Sequence, residues 1–205
     1  MPPKAKHTKE DIIRTALDIT REKGISAVTA AEISNRIGTS VSPIFTHFDT
    51  IEEIREEVKA VGWGIFDHYL KIADNYDPAF KMRGMQMVRF AKEEPALFRS
   101  LFMREKHPVR FDELMEQRIH GFEKDIAVFV EDYHTTPAEA QHLFYQLWIH
   151  TYGICVLCAT GVADFSDEEI ARLLGEAFVG MMAVIKSDHL DLSGIFPATR
   201  ETKEK

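Results

Sequence analysis

Five times along this chain a serine or threonine is followed three residues later by an acid, just ahead of a run of apolar residues at helical spacing. The pairs are Thr8 and Asp11, Thr29 and Glu32, Thr50 and Glu53, Thr136 and Glu139, and Ser166 and Glu169. In such a pair the hydroxyl accepts a backbone N–H three residues on, and the acid reaches back to the first N–H. Two donors that a helix start leaves open are then satisfied. No stretch alternates apolar and polar residues in the way a half-buried strand requires. The chain is therefore expected to be all-α, with about nine helices.

Their positions follow from the same signals. A first helix should start at Thr8, carry Ile12, Ile13, Ala16, Leu17 and Ile19 inward, and stop at Gly24. A second covers 30–37 and stops at Gly38, and a short third covers 41–47. The next starts after Thr50, with a stripe of Ile51, Ile54, Val58, Val61, Ile65, Tyr69 and Ile72. Asp77-Pro78 opens another, Pro95 a short one, and Pro108 one that runs through Ile119 and Phe122 to Phe129. Thr136 opens a helix ending near Gly161, and Ser166 opens the last. Proline suits these starts because the first helical N–H has no intrahelical acceptor. From about Ser187 the chain turns polar.

Charge divides the chain unevenly. The formal net charge is −8, yet residues 1–48 carry seven Lys/Arg against five acids, which leaves −10 for the remainder. A basic front on an acidic body suits a two-part protein whose front meets a polyanion. The N-terminus lacks an apolar signal core, and two cysteines cannot staple a framework; both features fit a reducing cytoplasm. Residues 140–163 contain no Asp, Glu, Lys or Arg. Their polar His and Gln residues and acidic flanks favour a helix buried on both sides over a membrane span.

A helix, a glycine turn and a short helix, with a packing helix in front, form the layout of a helix-turn-helix. Gly38 supplies the turn. Ile33, Ile37, Ile44 and Phe48 are spaced to face inward. Ser40, Val41, Ser42, Pro43, Phe45, Thr46 and His47 are left outward. With Ser40 as the cap, Pro43 falls in the first turn, where its missing N–H costs nothing. Ser42 then suits base edges or phosphate, and Val41 and Pro43 suit thymine methyls. Phe45, Thr46 and His47 face the sugar–phosphate. The helix start at Thr29 offers its N–H groups to a phosphate.

The segments KEDIIRTALDITREKGISAVTAAEISNRIG, TSVSPIFTHF and TIEEIREEV lie in succession between residues 9 and 58. As a block they resemble the DNA-binding domain of the TetR/AcrR family of transcriptional regulators. Three positions depart from what that family often carries: Ile51 stands where lysine is common, Val41 where a basic or polar residue is, and Phe45 where tyrosine is. The resemblance implies a homodimeric repressor that binds operator DNA and is released by a small ligand held in a divergent helical body. Residues 1–50 would be the DNA-binding domain, and 51–205 the ligand-binding and dimerisation domain. A helical interaction module that kept the fold and lost DNA binding stays open as an alternative, because 41–51 is poor in basic residues.

The body is rich in large soft side chains. Trp63, Phe66, Phe90, Phe98, Phe102, Phe111, Met115, Trp148 and Tyr152 are the candidates to line a pocket for a small hydrophobic or aromatic ligand. His68, His120 and His150 are candidates to orient a polar group. Gly62-Trp63-Gly64 softens the long fourth helix and is a candidate hinge. The segments near 137–161 and 166–187 are the candidate homodimer interface. The first is apolar nearly all round, and the second carries Gly175, Gly180 and Ala183 for close approach. Cys155 and Cys158 have C-x-x-C spacing but sit late in an apolar helix with no basic neighbour, so structural thiols are expected. No catalytic constellation, metal site or cofactor-binding motif is recognised, and no enzymatic activity is expected.

Overall fold

The computed structural model describes residues 7–76, 79–103, 108–118 and 122–187. Lys4, Lys6, the Asp77-Pro78 start, Ile119, His120 and the polar tail after 187 lie outside the described residues, as do the side chains of 116–118, 122 and 123. The described residues contain nine α-helices and no strand. They are α1 (Lys9–Lys23), α2 (Ala30–Ile37), α3 (Ile51–Ile72), α4 (Ala79–Glu93), α5 (Pro95–Phe102), α6 (Phe111–Arg118), α7 (Phe122–Tyr133), α8 (Pro137–Ala159) and α9 (Asp167–Lys186).

All five hydroxyl–acid pairs cap helices. Thr8, Thr29, Thr50, Thr136 and Ser166 each accept from the N–H three residues on. The acid reaches back at Thr8, Thr136 and Ser166. It is diverted at the other two. Glu53 takes the Asp49 N–H at 2.8 Å, and Glu32 bonds Lys23 and Arg36 instead. Gly38 closes α2 in the left-handed region, at φ 69°, ψ 40°, where any side chain would strain the backbone.

Two expectations need correction. Residues 41–47 do not form an α-helix: a turn leads into a three-residue 3-10 helix, Ile44–Thr46, with no side-chain cap, so Ser40 does not cap it. Its bonds span three residues, as in Ile44 N–H to Val41 O and His47 N–H to Ile44 O, both 3.1 Å. Pro43 is the cause. It has no N–H to give and disfavours helical geometry in Ser42 before it, while the Thr46 hydroxyl bonds the Pro43 carbonyl. The stripe on α3 is wider than expected: Ile51, Ile65 and Tyr69 pack against the core as expected, and one member is displaced. Ile54, Val58, Gly62 and Phe66 are buried, whereas Val61 is exposed. A spacing of four overshoots 3.6 residues per turn, so the row from Ile54 to Phe66 winds about 40° per step round the helix and leaves Val61 at its edge. Of the helix expected from Pro108 to Phe129, the parts on either side of 119–121 are described, as α6 and α7.

One apolar cluster runs through the molecule, from Ile12, Ile19, Ile33, Ile44 and Phe48 at the N-terminal end, through Phe66, Phe90 and Phe98, to Leu174. A second joins Met115, Phe129, Ala140, Leu143 and Phe144. Each fully buried large side chain here contributes roughly 1.5–3 kcal/mol. α8 is the axle of the body, packed against α4, α5, α7 and α9; α1 packs against α2, α3 and α5. No helix among the described residues is long and apolar enough to cross a membrane.

Candidate functional site

The outer face of the helix-turn-helix is held up from beneath. Ile33 and Ile44 are fully buried and Phe48 nearly so, and they fix the turn against α1 and α3. Val41 (37%) and Phe45 (44%) consequently project into solvent. Ser40, Ser42 and Thr46 are exposed beside them, and Pro43 and His47 are half-buried. His47 Nε2 lies 3.1 Å from the His7 carbonyl, which ties the turn to the start of α1. The Thr29 oxygen accepts the Glu32 N–H, and its own proton remains free to donate outward.

Residues 12–58 match the family described as bacterial regulatory proteins, tetR family. Over these residues the chain carries the helix-turn-helix of that family. Its helix-turn-helix is that of a DNA-binding transcriptional regulator. No curated protein matches the chain.

The tetR-type head is less basic in space than in sequence. Every described Lys or Arg from Lys9 to Lys59 is ion-paired. Lys9 meets Glu57 and Arg14 meets Asp11. Arg21 meets Glu94 and Lys23 meets Glu32. Arg36 meets both Glu22 and Glu32, Arg55 meets Glu52, and Lys59 meets Glu56. These bonds hold the Glu22 and Glu32 carboxyls below their ordinary range. Composition could not show this pairing, because half the partners are remote in sequence or sit on another helix.

In the body a cavity of about 100 Å³, partly open to solvent, lies between α3, α4, α5, α7 and α8. Of the nine residues expected to bind ligand, Phe66, Phe102 and Trp148 line it. The others are not on its wall. Phe90 and Phe98 are fully buried core, and Met115 belongs to the second cluster. Trp63 stands edge-on to Phe66 and Phe102 behind the wall. Tyr152 stacks on Trp148 at 5.0 Å and donates to the Phe102 carbonyl. Phe111 packs against Tyr145 and Trp148. His68 is exposed; His150 Nε2 is buried without a partner and is not on the wall.

Sequence reasoning missed the polar end of the cavity. Arg83 on α4 bonds Asp125 on α7, 42 residues away, and also Asp74 at 3.0 Å. Asp125 is 6% exposed, and burial outweighs its Arg83 partner, pushing its carboxyl up to about 6. Thr151 also lines the wall, and its hydroxyl donates to the Leu147 carbonyl at 2.8 Å. A smaller cavity of about 70 Å³ adjoins, sharing Phe80, Gly84, Leu147 and Thr151. Cys155 is fully buried and Cys158 partly so; burial raises both thiols, the opposite of a reactive thiolate.

Proposed function

We propose that this protein is a ligand-responsive repressor that binds operator DNA as a homodimer. Residues 1–50 act as the DNA-binding part, and 51–205 hold the ligand and the partner copy. The observation that carries the reading is the exposed turn Val41–Thr46, apolar at Val41 and Phe45 and braced by buried Ile44 and Phe48. Ser40, Ser42 and Pro43 complete the surface offered to the major groove, with Phe45, Thr46 and His47 toward the backbone and Thr29 at a phosphate. The ligand enters the body cavity at Phe66, Phe102 and Trp148. Trp63, Phe90, Phe98, Phe111, Met115 and Tyr152 act from behind that wall, by holding its shape.

The dimer reading rests on α8 and α9. Each leaves an apolar row uncovered: Ile149, Gly153 and Leu157 on α8, and Val179, Gly180, Ala183 and Val184 on α9. Two such rows on one protomer, met by the same two on another, give a four-helix interface with isologous symmetry. The glycines let the backbones approach closely.

Selection of bound duplexes from a random pool, with and without candidate ligands, tests the function. A palindromic site with half-sites one helical turn apart is expected. A second reading, a helical interaction module, is favoured by the ion pairing of every described cation in the head. Selection that enriches no sequence at low salt would favour that module over the repressor.

A further inference from the structure

The body cavity carries information about the sign of its ligand, and this inference rests on the ligand-responsive reading above. We infer that the cavity takes a small lipophilic amine, bound as its ammonium form at Asp125.

Three observations lead there. The first is charge. Among the described residues only Arg83 and Asp125 carry charge on the wall. Arg83 is shared between Asp125 and Asp74, so the cluster holds two carboxylates for one guanidinium. An arriving cation completes that count; an arriving carboxylate would be the third anion at one guanidinium. The surroundings do not reverse this. Lys124, next to Asp125 on α7, is exposed. α3 and α8 contribute no charged residue to the wall.

The second is the wall itself. Phe66, Phe80, Phe102, Phe129, Phe144 and Trp148 surround the space. Aromatic faces are the negative side of the ring quadrupole and attract an ammonium while repelling an anion. Thr151 adds an acceptor, since its proton is already given to Leu147. The third is size. A cavity of about 100 Å³ is smaller than the roughly 150 Å³ that holds benzene in an engineered core. The apolar body of the ligand is therefore no larger than one ring, with any remainder at the open side.

The test uses the full-length protein and three near-isosteric probes: benzylamine, benzyl alcohol and benzoate. Calorimetric titration at about pH 7.5, where the amine is protonated and Asp125 is ionised, should rank them in that order. Benzylamine should bind at least about tenfold tighter than benzyl alcohol. In Asp125→Asn the amine advantage should vanish while benzyl alcohol affinity stays within about twofold, as expected of a charge contact and not of a collapsed cavity. Lowering the pH to about 5 should shrink the advantage in the unmodified chain alone. Equal affinities, a preference for benzoate, or no binding by any probe would overturn the inference, and none of these outcomes requires a variant to fold. Operator release is read separately. An amine that binds in this order but leaves DNA binding unchanged keeps the site and removes the ligand response from the repressor reading.

Discussion

Ile44 is fully buried while its neighbour Phe45 is 44% exposed, and the 3-10 geometry of the turn sets them on opposite sides. Ile44→Ala should lose about 2–5 kcal/mol of stability, because it opens a cavity beneath the turn. Phe45→Ala should change stability by no more than about 0.5 kcal/mol and weaken operator binding several-fold. Urea unfolding and a DNA-binding isotherm on each variant separate the two effects. Asp125 offers a pH signature at the same scale. Its carboxyl is raised from the ordinary 3.8 to about 6 by burial. Between those values the folded chain keeps a proton that the unfolded chain has lost, so this group's contribution to stability falls as pH rises through the window and is flat above it. The stability of the native chain relative to Asp125→Asn should therefore drop by roughly 3 kcal/mol from about pH 3.5 to about pH 7. A flat difference in urea midpoints over that range would refute the assigned environment.

On α3, Gly62 and Gly64 have different surroundings although only Trp63 separates them. A Cβ on Gly62 would meet Leu101 at 3.4 Å, while one on Gly64 would meet nothing within 4 Å. Gly64→Ala should stabilise the chain by about 0.5–1 kcal/mol, since the added methyl clashes with nothing and alanine loses less backbone freedom than glycine on entering a helix. Gly62→Ala presses on α5 and should gain less. If the pair softens α3 as a hinge, the double alanine variant should alter ligand response more than DNA affinity. Unchanged induction in that variant would remove the hinge. α5 is the element that this motion would have to pass. It touches α1 and α3, and Glu94 at its start accepts two bonds from Arg21 of α1, at 2.5 and 2.9 Å.

For the molecule as a whole, the proposed homodimer makes the testable claim. Val179 (66%) and Val184 (46%) on α9, and Ile149 (48%) on α8, are exposed, and in the homodimer proposed above they form the contact. Val179→Glu should convert a dimer to a monomer in light scattering at micromolar concentration, without changing the helical circular dichroism. It should also cost operator affinity, because a lone recognition unit reaches only one half-site. A native chain that scatters as a monomer would contradict the dimer.

The sequence by itself determined where α1, α2, α3, α8 and α9 start, and where Gly24 and Gly38 stop the first two, because a capping hydroxyl or a glycine acts within a few residues of itself. It also determined the character of residues 12–58, whose motif is contiguous. Only the tertiary structure decided that Arg83 and Asp125, 42 residues apart, share one wall, and that Phe90 and Phe98 are core and not cavity. It alone showed the described cations of the head to be already partnered. A cap is a local hydrogen bond and can be read along the chain. A cavity is what remains after α3, α4, α5, α7 and α8 have packed, and which of many similar aromatic residues face it depends on how those helices are rotated against one another.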